Sequence, residues 1–369
     1  MKVSLIDPVG GKGGMEFYDY GLALGLAKNN VTVHYFTCIN TEEINYENVF
    51  LHYSFGDIWK HGKIAKLIKL LKGNLKAFKF SKVNNINHVH FQFFHLGTQN
   101  IIVLLLAKCY CLKTIVTLHD VDSLRNNNNN RIFQKIAFLF INHFIVHNQF
   151  SFDELKKKNI NESKIDIIPH GNYLTFIKPI NYPIRKDNQF RLLFFGQIKE
   201  VKGLDILIRA VSIAIKQNKN IHLTIAGKPW GTSKDYYEKL IEELDIESAV
   251  NTEFGYIEND QVKNYFQNCD VVVLPYKKIY QSGVLLLSMS YGRVTLCSDL
   301  DAFKEIITNK ENGYLFESES ENSLSEQIID IANNYKNLNN VRSNALKKLR
   351  KEFNWEVIGM QTKKIYEKK

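Results

Sequence analysis

The chain has 369 residues, 45% of them apolar, 12% aromatic and 23% charged. That much apolar material supports a sizeable core in each of two domains and excludes a disordered or fibrous chain. The formal net charge of +10 points to an anionic partner, whether nucleic acid, membrane surface or small substrate, without choosing among them.

The first element, "KVSLI" (2–6), is a strand pattern and not the long apolar core of a signal peptide. It runs into a glycine-rich turn, "DPVGGKGGM" (7–15), and a helix over 17–28. Backbone N–H groups of such a turn can approach a phosphate at the positive end of a helix. The turn lacks the Gly-Lys-Ser/Thr ending of a Walker loop. It also lacks the third glycine of a dinucleotide fingerprint, and "HYFTC" (34–38) offers no acidic residue to a ribose. A tight strand–helix turn without a ligand is the plain alternative.

After the strand "VTVHYF" (31–36) comes "WKHGKIAKLIKLLKGNLKAFKFSK" (59–82), with eight lysines and no acidic residue. Ile64, Leu67, Ile68, Leu71, Leu75 and Phe78 fall at helical spacing on one face. This predicts a basic amphipathic helix suited to an anionic lipid surface. An ordinary surface helix is the alternative. No nucleic-acid recognition motif accompanies the charge, so no nucleic acid partner is expected. "IIVLLLA" (101–107) is too short to span a bilayer.

Strands follow at "HVHFQ" (88–92), "KTIVTLH" (113–119), "HFIVH" (143–147) and "KIDIIP" (164–169). His119 and Asp120 in "TLHDVDSL", and His170 in "IIPHGNY", sit at strand ends, where α/β proteins collect ligands. "RNNNNNR" (125–131) is a polar tract expected to form a mobile loop. The "DVD" triplet alone does not make a metal site, and none is expected.

Residues 172–190 hold two prolines and no clear period, which predicts a linker. A second strand series then begins: "FRLLFFG" (190–196), "IHLTIAG" (221–227), "DVVVLPY" (270–276) and "VTLCS" (294–298). Helices are expected over 203–217, 235–244, 258–267 and 323–337. Near-continuous apolar strands alternating with helices imply two doubly wound parallel sheets. Lys202 and Gly203 start a helix just past a strand end, where a cation can reach an anion. "QSGVLLLSMSYG" (281–292) is a buried helix behind a Ser-Gly pair. The N–H groups of Ser282, Gly283 and Val284 need partners, and either a diphosphate or Ser282 itself can supply one. The five cysteines mostly lie in apolar runs, which suggests buried thiols in a reducing cytosol.

Taken in order, these segments resemble the GT-B glycosyltransferases of family 4, over nearly the whole chain. The resemblance rests on "GGKGGM", "TLHD", "IIPHGNY", "FFGQIKEVKGLDILIRA", "IAGK", "FGYI" and "LPYKKIYQSGVLLLSMSYG", followed by "VTLCSDLDAFKEII" and the closing "FNWEVIGMQTKKIYEKK". It implies an α/β protein of two Rossmann-like domains facing a cleft. Residues 1–178 would bind the acceptor and 179–345 the nucleotide sugar, with 346–369 packing back on the first domain. It further implies retention of anomeric configuration, no cofactor, no metal, and a UDP-sugar or GDP-sugar donor. Lys202, Ser282, Gly283, Val284, Gly13 and Gly14 would surround the donor diphosphate. Tyr256 would lie near the base, and His119, Asp120 and His170 on the acceptor or sugar side. The family's two glutamates, eight residues apart, fall on Ile279 and Leu287, and its usual loop arginine on Gln197. A "QSG" form resembles a subgroup of the same family. The reading is a bacterial surface-polysaccharide transferase, peripheral at the cytoplasmic membrane face, acting on a polyprenyl-diphosphate-linked acceptor. A degenerate partner protein that binds nucleotide without transfer, and a nucleotide-sugar epimerase, are the rivals.

Overall fold

The structure is a computed structural model that describes every residue except 12–13, 95, 123–129, 182–187 and 369, and leaves out the side chains of Asn130 and Arg131. The chain divides into two compact units, Met1–Gly171 with Glu352–Lys369, and Asn172–Lys351.

The first unit is built on a seven-stranded parallel sheet in the order β3-β2-β1-β4-β5-β6-β7. Its strands are β1 (Lys2–Ile6), β2 (Thr32–Cys38), β3 (Val49–Gly56), β4 (His88–Phe93), β5 (Lys113–Leu118), β6 (His143–Val146) and β7 (Ile165–Ile167). The central strands are buried on both faces, which is why they are nearly continuous apolar runs. β3 is an edge strand, mostly half-buried or exposed, with four polar or glycine residues among its eight, so an apolar-run criterion misses it. The helices are α1 (Met15–Lys28), α2 (Lys63–Val83), α3 (Thr98–Cys109), α4 (Asn130–Leu139) and α5 (Gln149–Lys157). Strand order reverses between β1 and β4. Right-handed crossovers therefore put α1 on one face and α2 to α4 on the other.

The helix expected over 59–82 forms as α2, but its buried side is Gly73, Asn74, Ala77, Phe78 and Ser81. The glycine admits Phe55 from β3, since a Cβ there would lie 2.3 Å from its ring. Ile64 and Ile68, expected on the packed face, are exposed, because only the second half of the helix meets the sheet. Cys109 and Cys111 are also exposed, whereas Cys38, Cys269 and Cys297 are buried.

The second unit carries a six-stranded parallel sheet, β10-β9-β8-β11-β12-β13. Its strands are β8 (Phe190–Phe195), β9 (Ile221–Ala226), β10 (Val250–Glu253), β11 (Val271–Leu274), β12 (Val294–Ser298) and β13 (Tyr314–Phe316). β10 and β13 are short edge strands that the apolar-run criterion also misses. The helices are α6 (Leu204–Gln217), α7 (Lys234–Glu243), α8 (Asn259–Gln267), α9 (Gly283–Ser290), α10 (Asp301–Lys304), α11 (Glu321–Asn333) and α12 (Leu338–Glu352). The reversal of order falls between β8 and β11, so α6 and α9 leave the sheet at its switch point.

Residues 172–181 belong to this unit. The Asn172 side chain donates to the Leu349 carbonyl at 2.9 Å. The fully buried Arg293 donates to the Ile180 and Asn181 carbonyls at 3.1 and 3.2 Å. α12 buries Leu338 and Val341 in the same core. Only the last helix, α13 (Trp355–Glu367), lies on the first unit, where it packs against α1. Glycines make that crossing close: a Cβ on Gly25 would sit 2.0 Å from the Trp355 carbonyl oxygen. Trp355 also fills the space over Gly21 and Gly171.

Candidate active site

In the second unit, β8 ends at a turn through Gly196, and the loop returns to α6 through Lys202 and Gly203. Gly203 has φ +61 and abuts the Pro275 carbonyl, which a Cβ would approach to 1.9 Å. Only glycine satisfies both conditions, so α6 is anchored directly against the strand-end loop that leads to α9. Lys277 holds that loop from the other side, pairing with Asp205 at 3.0 Å.

Lys202 points into this corner. Its Nζ lies 4.0 Å from where a Gly196 Cβ would be, and Val284 Cγ2 is 3.3 Å from the same point. The ammonium also stands 5.0 Å from the centre of the Tyr276 ring. Burial pulls the Lys202 pKa down to about 8, and no carboxylate among the described residues opposes that shift. An unpaired ammonium in a desolvated corner favours an anion.

α9 begins at the same place. Ser282 is its N-cap, with Oγ accepting from the Leu285 amide at 3.2 Å. The Ser282 hydroxyl thus caps the helix itself. The amides of Gly283 and Val284 have no acceptor among the described residues. Two amides and the positive helix end therefore face the region that Lys202 also faces. The Tyr173 hydroxyl stands 3.1 Å from where a Gly283 Cβ would be. Sequence reasoning did not single out Tyr173; its only signal was its place two residues after Gly171 in "IIPHGNY". Ile279 and Leu287 are partly exposed apolar residues, Gln197 is exposed, and Tyr256 is 65% exposed on the loop after β10.

In the first unit, the strand-end histidines come together. His119, His147 and His170 follow β5, β6 and β7, and all three pack edge-on around Tyr18 of α1, with ring centroids 4.8, 5.5 and 4.9 Å away. His147 Nδ1 donates to the Ile168 carbonyl at 2.9 Å. Its Nε2 then accepts from His119 Nδ1 at 3.2 Å. That leaves a lone pair on His119 Nε2, 3.1 Å from the Gln92 side-chain amide. The Gln92 nitrogen otherwise has no partner among the described residues, so the amide is assigned with nitrogen towards the ring. The chain of donors runs from Gln92 through His119 and His147 to the backbone. His170 Nδ1 donates to the Gly171 carbonyl at 2.7 Å.

Burial lowers the pKa of all three rings, His147 to about 3 and His170 to about 4, and the neighbouring histidines lower His119 further. The rings are neutral and fixed in one tautomer. His147, at the end of the strand pattern "HFIVH", went unnoticed although it shares the strand-end position of His119 and His170. Asp120 donates its backbone N–H to the Phe94 carbonyl at 2.8 Å.

The glycine-rich turn is braced from below. Tyr35 donates to Asp19 at 2.8 Å, and Asp7 accepts from the Val9 amide at 2.8 Å. Asp7 and Asp19 are fully buried and hydrogen-bonded to each other, and desolvation raises both pKa values. Their facing oxygens have no other partner among the described residues, so a shared proton joins them. Gly14 is the N-cap of α1, with φ 83. Gly13 and the polar tract at 125–129 lie outside the described residues.

The model of "Glycosyl transferases group 1" matches residues 181–348, and that of "Glycosyltransferase Family 4" matches residues 12–174. The chain belongs to the GT-B glycosyltransferases of group 1 and family 4. The chain is 28% identical over 157 residues to a GDP-mannose:glycolipid 4-beta-D-mannosyltransferase of Xanthomonas campestris, a match covering 42% of this chain and 43% of that one. The chain spans less than half the length of the first curated relatives it matches. Sucrose-phosphate synthase of Thermosynechococcus elongatus shares its fold with a TM-score of 0.76 at 18% identity, covering 100% of this chain and 98% of that one. HepE of Anabaena, solved with UDP-glucose, gives a TM-score of 0.72 at 15% identity, covering 100% and 99%.

Proposed function

We propose that the protein is a retaining, metal-independent hexosyltransferase that moves a sugar from a UDP-sugar or GDP-sugar to a lipid-linked acceptor in bacterial surface polysaccharide assembly. The observation that carries this reading is the corner at α9. An unpaired, desolvated ammonium and two acceptor-less amides converge there, as a diphosphate requires. Lys202 neutralises charge that grows on the leaving diphosphate as the glycosidic bond breaks. Gly283 and Val284 supply N–H groups to it, and Gly14 shapes the turn above Asp7 and Asp19. Tyr256 stacks on the base. The neutral histidine nest, with His119, His170 and the neighbouring Asp120, serves the transferred sugar or the acceptor. A relative named for GDP-mannose and a fold neighbour solved with UDP-glucose support the donor class. The basic helix α2 keeps the enzyme at the cytoplasmic membrane face, near a polyprenyl-diphosphate acceptor.

Ile279 and Leu287 favour one rival, a partner protein that binds nucleotide but transfers nothing, because neither side chain can bind a hydroxyl. Incubating the protein with UDP- and GDP-sugars and measuring nucleotide release separates the two. Slow donor hydrolysis, abolished by Lys202→Ala, is the expected result. Nucleotide binding with no release from any donor, with or without lipid extract, selects the partner protein.

A further inference from the structure

The positive charge of this chain is concentrated in one stretch. Between Ile58 and Phe152 the sequence holds thirteen lysines and arginines against Asp120 and Asp122, more than enough to account for the whole net charge of +10. α2, α3 and α4 come from this stretch and stand side by side on one face of the first sheet. None of the three contains an acidic residue.

Two of the α2 lysines are engaged locally. Lys69 pairs with Asp57 at 2.6 Å, and Lys66 sits 3.6 Å over the Trp59 ring. Lys63, Lys72, Lys76, Lys79 and Lys82 are exposed and pair with no carboxylate among the described residues. The same face is also apolar. α3 exposes Ile102 and Leu105, and α4 exposes Ile132, Phe133, Ile136 and Leu139. Ile132 is 70% and Leu139 78% exposed. Ile132, Ile136 and Leu139 form a stripe at helical spacing, opposite the buried Gln134, Ala137 and Phe138. α4 is therefore apolar on its outer side as well as its inner side. Such a stripe left in water signals a surface that something covers.

We propose that the α2–α3–α4 face docks on an anionic lipid leaflet. The α4 stripe enters the acyl boundary, and the α2 lysines lie over the headgroups. The charge selects an anionic partner, and the bulky apolar stripe suits acyl chains better than nucleic acid. A second copy of this chain would set one strongly positive face against another. The inference rests on the lipid-acceptor reading above and deepens it, because it assigns the contact to a surface.

The test is sedimentation of the full chain with vesicles of mixed phosphatidylglycerol and phosphatidylcholine, against phosphatidylcholine alone. Wild type is expected to bind only the anionic vesicles. Ile132→Ser/Leu139→Ser and Lys72→Glu/Lys76→Glu/Lys79→Glu are each expected to weaken binding at least about tenfold. Thermal stability and UDP binding should stay unchanged, which separates failure of the docking surface from failure of the transferase reading. Wild-type binding by the Ile132/Leu139 variant overturns the proposal. So does equal binding to neutral vesicles, or a wild-type dimer that this variant turns into monomer.

Discussion

With the donor diphosphate beside Lys202, as proposed, the lowered pKa of that lysine makes donor binding proton-linked. In the free protein the ammonium is desolvated and its pKa is about 8. A bound diphosphate stabilises the charged form and raises that value. The bound state then keeps a proton that half of the free molecules lack at pH 8, so binding UDP should take up about half a proton. The sign follows directly. Binding is strongest below pH 8 and weakens as pH rises through it. Between about pH 7 and pH 9 the affinity should fall roughly tenfold, or about 1.4 kcal/mol. Lys202→Met should bind UDP at least about tenfold more weakly at pH 7, since a charge-assisted bond is worth about 1.5–3 kcal/mol. Its affinity should not follow the same pH slope. Calorimetric titration in buffers of different ionisation enthalpy reads proton uptake and affinity together. Equal uptake in wild type and Lys202→Met would refute the assignment of the diphosphate to this corner.

Four further outcomes follow from the geometry. His147, with a pKa of about 3 when folded, stays neutral while the unfolded chain protonates below about pH 6.5, so its share of stability is lost as pH falls. Between about pH 7.5 and 5.5 that share is about 1.4 kcal/mol, and His147→Phe should show that much less acid sensitivity in urea unfolding at the two pH values. Asp19 has the opposite sign: its raised pKa means stability is lost as pH rises above about 4, so thermal melts of Asp19→Asn should fall less steeply than wild type over that rise. Gly203→Ala, which places a Cβ 1.9 Å from the Pro275 oxygen, should cost roughly 2–4 kcal/mol in the same unfolding assay. Gly14→Ala has a positive φ but open space around the new Cβ and should cost only about 1–2 kcal/mol.

The sequence by itself determined the class of fold. Buried parallel strands must be apolar on both faces, so β1, β5, β8 and β11 are visible as continuous runs. Edge strands carry no such demand, and β3 and β10 were invisible for that reason, while the apolar β13 is only three residues long. The Lys202–Gly203 turn was also legible, because a lysine and a glycine at a strand end are local features, whereas the approach of Gly203 to the Pro275 carbonyl was not. Tertiary structure alone decided what is assembled from distant segments. His119, His147 and His170 form one nest only because β5, β6 and β7 are neighbours in a parallel sheet, which carries each strand end to the same edge. The face of α2 that packs was likewise set by where the sheet ends and not by the helix's own periodicity. The pairing of Asp7 with Asp19 is of the same kind. Neither carboxyl is unusual in sequence, and only burial beside the other forces them to share a proton.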